Sequence, residues 1–154
     1  MFDITILSIG KIKTKYLAEA EGEYLKRLKP YAKIKMVELA PQSFSSGSMD
    51  KAVSHEGEKI EAYLNKKTNA KVFLLDERGE ENTSIEFSRK LFSFDGKEII
   101  LVIGGSVGLD KKLLNKYSCL SLSKLTFLHE MTKVILLEQV YRAITINLGK
   151  EYHH

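Results

Sequence analysis

An α/β fold, a mostly parallel sheet flanked by helices, is what this sequence predicts. Three observations carry that expectation. Short strand-like runs alternate five times with stretches of helical periodicity. The run Glu98–Ile103 is apolar throughout, as in a strand covered on both sides. Two strand ends open into loops of small or polar residues, Gly104-Gly105-Ser106-Val107-Gly108 and Ser123-Lys124-Leu125-Thr126-Phe127. In α/β sheets ligands bind outside the carboxyl ends of strands, where backbone amides are free. A repeated βα order places helices on both faces of the sheet.

Phe2 to Ile9 alternates and is rich in β-formers, a strand. Tyr16, Ala20, Tyr24 and Leu28 recur every fourth residue and predict a helix, closed by Lys26, Arg27, Lys29 and Pro30. Ile34 to Leu39 reads as a second strand and Pro41 to Ser48 as a loop. Asp50 is the expected N-cap of a helix carrying Val53, Ile60 and Leu64. Lys71 to Leu75 is a third strand, and Asp76 to Asn82 a charged loop. Thr83-Ser84-Ile85-Glu86 has the form of a capping box for a helix through Leu91. After the fourth strand come a short helix from about Asp110, a fifth strand Ser118–Leu122, and a last helix over Met131–Leu148 with Gly149 behind it.

The 154 residues suffice for one domain with a real core, read as a single unit over 1–154. Hydrophobic residues at 44% and charged residues at 29% fit a soluble protein, and no apolar run reaches membrane-spanning length. No signal peptide is expected, because the strand-like Met1–Ile9 is short and lacks a basic leader. The lone Cys119 cannot form an internal disulfide, so a cytoplasmic setting is expected, with Cys119 a small buried hydrophobe. With 24 basic against 20 acidic residues, the net charge of +4 permits a nucleic-acid partner without demanding one.

The last helix is apolar on nearly all sides. At about 100° per residue, Val134, Leu137, Tyr141, Ile144 and Leu148 share one face. Ile135, Leu136, Ala143 and Ile146 cover much of the rest, leaving a polar stripe of Glu138, Arg142 and Thr145. The sheet covers one side, so a second copy of the chain is the expected cover for the other.

The chemistry-bearing residues exclude several classes. The glycine loop fits neither the dinucleotide fingerprint nor a P-loop. His55, His129, His153 and His154 lack metal-ligand spacing, so no metal is expected. There is no defensible Ser-His-Asp set and no paired-carboxylate spacing. Arg142 stands one turn after Glu138, which predicts an ion pair or a substrate contact. Lys11, Lys13 and Lys15 follow the first strand on the glycine-loop edge, where they can meet phosphate. Asp76 at that edge can orient a ligand. Chemistry with little acid/base machinery, such as methyl transfer from an activated donor, suits this inventory.

Four segments carry a resemblance: Gly104-Gly105-Ser106-Val107-Gly108-Leu109, Leu122-Ser123-Lys124-Leu125-Thr126-Phe127-Leu128-His129, Glu138-Gln139-Val140-Tyr141-Arg142-Ala143, and Tyr152-His153. With Ile4–Lys11, Glu23–Leu28 and Glu56-Gly57-Glu58, the chain resembles the RlmH family over essentially its whole length. These are SPOUT-class methyltransferases that modify pseudouridine in bacterial large-subunit ribosomal RNA.

The resemblance implies a C-terminal trefoil knot, an obligate homodimer and S-adenosylmethionine held in the knot. It implies that Leu75, Gly104 and the segment Leu122, Ser123, Lys124, Leu125, Thr126, Phe127 hold that cofactor, largely through backbone groups. It implies that Arg142, Tyr152 and His153 engage the target, an N3 of pseudouridine in 23S ribosomal RNA on the assembled ribosome. His153 or His129 can assist removal of the N3 proton. The chain departs from the family pattern at Leu128, where proline is usual, at Val107, where a polar residue is usual, and at His154, where Lys or Arg is usual. A non-catalytic RNA-binding module of the same fold, and a nucleotide-binding enzyme with phosphate at the glycine loop, are the competing readings.

Overall fold

Successive side chains of a strand point to opposite faces, and here both faces are apolar. In β1 (Phe2–Ile9), Ile4 and Ile6 enter one hydrophobic cluster while Leu7 and Ile9 enter the other. In β4 (Glu98–Ile103), Ile99, Leu101 and Ile103 side with the first, Ile100 and Val102 with the second. With β2 (Ala32–Leu39), β3 (Ala70–Glu81) and β5 (Ser118–Ser121), these strands form one sheet of order β2-β1-β4-β3-β5. Every pairing is parallel. The computed structural model describes residues 1–93 and 96–154.

The helices divide between the faces by the direction in which the chain moves along the sheet. The crossovers β1→β2 and β3→β4 run one way and carry α1 (Lys15–Leu28) and α3 (Ser84–Phe92). Leu28, Phe87 and Leu91 of these helices lie on the Ile4/Leu101 face. The crossovers β2→β3 and β4→β5 run the opposite way and carry α2 (Met49–Leu64) and α4 (Lys111–Lys116). Ile60, Leu64 and Leu113 lie on the Leu7/Val102 face. All four crossovers therefore share one hand, as twisted parallel strands require. The last helix, α5 (His129–Asn147), joins the first face beside α1 and α3.

Several boundaries differ from the sequence reading. The segment expected as a charged loop after Leu75 is mostly strand, because β3 runs on to Glu81. Its pairing with β5 shifts register between Leu75 and Glu80, so polar residues continue the ladder through an irregularity. Gly79 makes the close approach possible: a Cβ there would lie 2.7 Å from the backbone carbon of Leu120. α2 takes Ser48, not Asp50, as its N-cap, and Asp50 sits in the first turn, where a negative charge is favourable. α5 begins at His129, ahead of the expected Met131. The capping box holds: Thr83 N–H donates to Glu86 Oε2 at 2.8 Å, and Glu86 N–H to Thr83 Oγ1 at 3.3 Å. Gly149 follows α5 with φ +64°.

The over-apolar last helix is largely explained within one chain. Leu136, Leu137, Val140, Ala143 and Ile144 are buried in the sheet-facing cluster. Val134, Ile135, Tyr141 and Ile146 are half-buried, whereas Leu148 is exposed. Thr145, assigned by periodicity to the polar stripe, is buried and donates its hydroxyl to the Arg142 carbonyl at 2.7 Å. Periodicity also gives no warning that Lys133 is buried in this helix.

Gly79→Ala is expected to destabilise the protein by about 1–3 kcal/mol, since backbone rather than a movable side chain fills the Cβ position. A denaturant midpoint equal to wild type would reject that close approach.

Candidate functional site

The middle of β3, where its pairing with β4 ends, and the carboxyl end of β5 flank a narrow crevice. Leu75, Asp76 and Glu77 of β3 form one wall; Leu122, Ser123, Leu125 and Phe127 form another; Thr132 of α5 completes it. Five of the eight residues expected at a cofactor thus meet in one place: Leu75, Leu122, Ser123, Leu125 and Phe127. Lys124 and Thr126 alternate with them and are exposed, Lys124 lying 3.5 Å from Glu81. Residues 122–127 run in neither helix nor strand. Their turn is held by Ser121, whose hydroxyl donates to the Ser123 carbonyl at 2.8 Å, and by Leu125 N–H, which donates to Ser123 Oγ at 3.0 Å. Asp76 accepts from Arg78 Nε and Nη2 at 2.8 and 2.9 Å, and that hydrogen-bonded guanidinium holds its carboxyl below the usual range.

Gly104 ends β4 outside the crevice lining, and its missing side chain has a packing reason. A Cβ there would approach Leu109 Cγ at 3.0 Å and the Gly108 backbone at 3.2 Å. Cys119 is half-buried, and burial pushes its thiol up, which suits a packing role rather than a nucleophile. Among the described residues no group of His, Cys, Asp and Glu could hold a metal ion.

Arg142, Tyr152 and His153 come together around one carboxylate. Glu138 Oε1 accepts from Arg142 Nε at 3.1 Å, Arg142 Nη2 at 2.6 Å and the Tyr152 hydroxyl at 3.1 Å. The Arg142 guanidinium lies 4.8 Å from the Tyr152 ring centre, and Tyr141 meets that ring edge-on at 4.8 Å. Arg142 Nη1 stands 3.4 Å from His153 Nδ1. The ion pair expected from the Glu138–Arg142 spacing is therefore present, and it sits in a larger cluster. Burial and the Glu138 charge raise the Tyr152 phenol. Arg142 lies ten residues beyond Thr132 on the same helix, about 15 Å along its axis. Within one chain the cluster and the crevice are separate.

A larger cavity, about 570 Å³, opens at the ends of β1, β2 and β4. Its lining includes Gly10, Lys11 and Lys13 after β1, Ala40 and Pro41 after β2, Gly105 and Ser106 after β4, and His129 and Glu130 of α5. The lysines after the first strand do share an edge with the glycine loop; Lys15 instead starts α1. Sequence reasoning missed the polar groups under this cavity. Lys133, 1% exposed, donates to Glu38 Oε1 at 2.9 Å and the Gly10 carbonyl at 3.3 Å. Glu56, 3% exposed, accepts Gln42 N–H on Oε1 at 3.1 Å, while its Oε2 has no hydrogen-bond partner. Burial pushes the Glu56 carboxyl up. A carboxylate that a fold buries is invisible to periodicity, because Glu also serves any exposed helix face.

Two variants check these electrostatics. A raised Glu56 means the folded protein holds that proton longer, so the stability this one group contributes is fully present below the ordinary value of 4.5 and is lost as pH rises through its folded titration. Glu56→Gln should therefore gain on wild type as pH rises above that value and lose the gain in acid; a pH-independent difference in chemical denaturation would contradict it. Glu138→Ala should let the Tyr152 phenol titrate at lower pH than in wild type, followed by its ring resonances in NMR. An unmoved midpoint would mean Glu138 does not hold the tail.

Comparison with known proteins agrees with this architecture. A family model described as "Predicted SPOUT methyltransferase" matches residues 2–153. The chain is 44% identical to the ribosomal RNA large subunit methyltransferase H of Acetivibrio thermocellus, covering 97% of this chain and 98% of that one. It is 43% identical to the protein of the same name from Clostridium novyi, over 98% and 99% of the two chains. A solved structure described as "a probable methylase family protein" from Haemophilus influenzae superposes with a TM-score of 0.62 at 15% identity, covering 99% of this chain and 71% of that one, a likeness of fold. A match of this extent to the family model, with these relatives, makes the chain a member of the SPOUT methyltransferase family.

Proposed function

We propose that this chain is an S-adenosylmethionine-dependent methyltransferase acting on N3 of a pseudouridine in 23S ribosomal RNA within the assembled ribosome. The reading rests on family membership, on relatives named ribosomal RNA large subunit methyltransferase H, and on one observation. Leu75 meets the sequence-remote residues Leu122, Ser123, Leu125 and Phe127 in one crevice beside the ends of β4 and β5. Residues 1–154 act as a single domain in the cytoplasm.

The residues at the crevice fit a nucleoside cofactor. Leu75, Leu122, Leu125 and Phe127 offer apolar walls for an adenine ring, and the irregular backbone of 122–127, with Lys124 and Thr126, offers amides to its edge. Asp76 and Glu77 at the rim offer acceptors for hydroxyl or ammonium groups. Gly104, which follows Ile103, the register partner of Leu75, is proposed with them as a cofactor contact. S-adenosylmethionine, when bound, supplies an electrophilic methyl group. The crevice measures about 60 Å³, so the loop carrying the 72%-exposed Leu125 has to move aside for a molecule of that size. A trefoil knot through this loop is part of the proposal; a strand order that inserts β4 between β1 and β3 supports it.

Arg142, Tyr152 and His153 are proposed as the catalytic group. Their separation from the crevice along α5 supports a homodimer in which one copy's tail serves the other copy's cofactor site. Exposed Leu125, Leu128 and Met131, with half-buried Ile135, support the same interface. Arg142, held by Glu138, turns Nη1 toward His153, and in this reading the pair meets the target nucleotide. In this reading His153 or His129 takes the N3 proton. Phosphate contacts from the lysines make binding fall steeply with salt.

Removing Tyr152–His154 should leave S-adenosylmethionine affinity within about twofold of wild type and abolish labelling of ribosomes from a strain lacking the enzyme, a loss of at least about a hundredfold. Retained turnover would reject the tail's role. Absence of label with the intact protein would leave the non-catalytic RNA-binding module.

A further inference from the structure

The large cavity beside the glycine turn has no part in cofactor binding as proposed above, and its composition is specific. After β1 the chain turns to one face into α1, and after β4 to the other into α4, so a crevice opens between their ends. The walls are apolar through Ile9, Leu39, Ala40 and Pro41. Lys11 and Lys13 stand exposed at the rim, where cations meet phosphate. Behind the lining residue Gly105 lies the buried Glu56 carboxylate. Its Oε2 is 3.1 Å from where a Gly105 Cβ would stand, its Oε1 takes the N–H that follows Pro41, and His129 acts on it electrostatically.

The cavity also adjoins the cofactor crevice. His129 and Glu130 line the former and Thr132 the latter, all within one turn of α5. An apolar slot with a cationic rim, backed across Gly105 by a buried acceptor, fits a nucleotide: base between the walls, phosphate on the lysines, a ring N–H turned to the carboxylate. At about 570 Å³ it has room for one.

We propose that this cavity receives the acceptor nucleotide, and that Glu56 selects pseudouridine over uridine by accepting the ring N1–H. This rests on the methyltransferase reading for the identity of the base. In uridine N1 carries the glycosidic bond and has no hydrogen. In pseudouridine the sugar is on carbon, so N1–H is free while N3 remains available to face the crevice. A uridine in the same pose leaves the buried carboxylate unpaired, which is how a polar site rejects an analogue lacking its donor. Gly105 keeps the space between Ile9 and Glu56 open, since a Cβ would stand 2.9 Å from Ile9 Cγ2.

The test titrates pseudouridine 5′-monophosphate and uridine 5′-monophosphate into the full chain loaded with S-adenosylhomocysteine, following the His129 ring protons by NMR. Expected are movement of His129 with pseudouridine monophosphate and about tenfold or more weaker binding of uridine monophosphate. Glu56→Leu should erase that preference. Ala40→Trp, at an exposed lining position, should block both nucleotides and ribosome labelling while S-adenosylhomocysteine still binds normally. His129 signals that stay put with both nucleotides at their solubility limit overturn the assignment. So does an Ala40→Trp protein that labels ribosomes at the wild-type rate, or one that loses S-adenosylhomocysteine, which would make the cavity the cofactor's. Binding of both nucleotides with the expected preference but unlabelled ribosomes would instead retain the pocket and defeat the methyltransferase reading.

Discussion

The docking of α5's first two turns onto the β1–α1 connection is the contact on which the rest depends. Glu130 Oε1 accepts the Lys13 N–H at 2.8 Å, and the Lys133 ammonium reaches both the Gly10 carbonyl and Glu38. A charge as buried as Lys133 is tolerable only with such partners, because removing an ion from water is expensive. The arrangement is directional: it fixes where α5 begins relative to the ends of β1 and β2. Both candidate cavities use that beginning as a wall, through His129 and Glu130 on one side and Thr132 on the other. The apolar remainder of α5, from Leu136 to Ile144, secures the helix to the sheet but does not specify this placement.

The sheet edge and the helix end divide the work. At the carboxyl edge, strand ends and turns present backbone groups and small residues, suited to holding a ligand closely. At the far end of α5, Glu138 gathers Arg142 and Tyr152 on a single oxygen, suited to holding long side chains in one arrangement. Glycines serve the first part for different reasons. Gly79 lets β3 press on β5, Gly104 lets its own turn close on Leu109, and Gly105 keeps Ile9 and Glu56 apart from a side chain.

Several features were legible beforehand because their causes are local. Strand alternation, the Thr83–Glu86 box, the start of α4 near Asp110 and the Gly149 stop depend on residues within a turn of one another. The parallel sheet was legible from the βα order, and the loop Ser123–Phe127 from its composition. The continuation of β3 through Asp76–Glu81 was not, because its polar residues are paired by a neighbour, β5, far along the chain. The burial of Thr145 was missed for a related reason: its hydroxyl is satisfied by the Arg142 carbonyl, so the side chain no longer needs water.

By itself, then, the sequence determined the element types, the βα order and the segments with chemical potential, since propensity, capping and hydrophobic period act over a few residues. Which of those segments meet was decided by the tertiary structure alone. The strand order β2-β1-β4-β3-β5 brings the ends of β1 and β4 together beside Glu56 and joins Leu75 to Leu122, while Arg142 lies ten residues along α5 from Thr132 of the crevice. Those proximities come from long-range pairing and from the burial of Glu56 and Lys133, and no local pattern of residues encodes either.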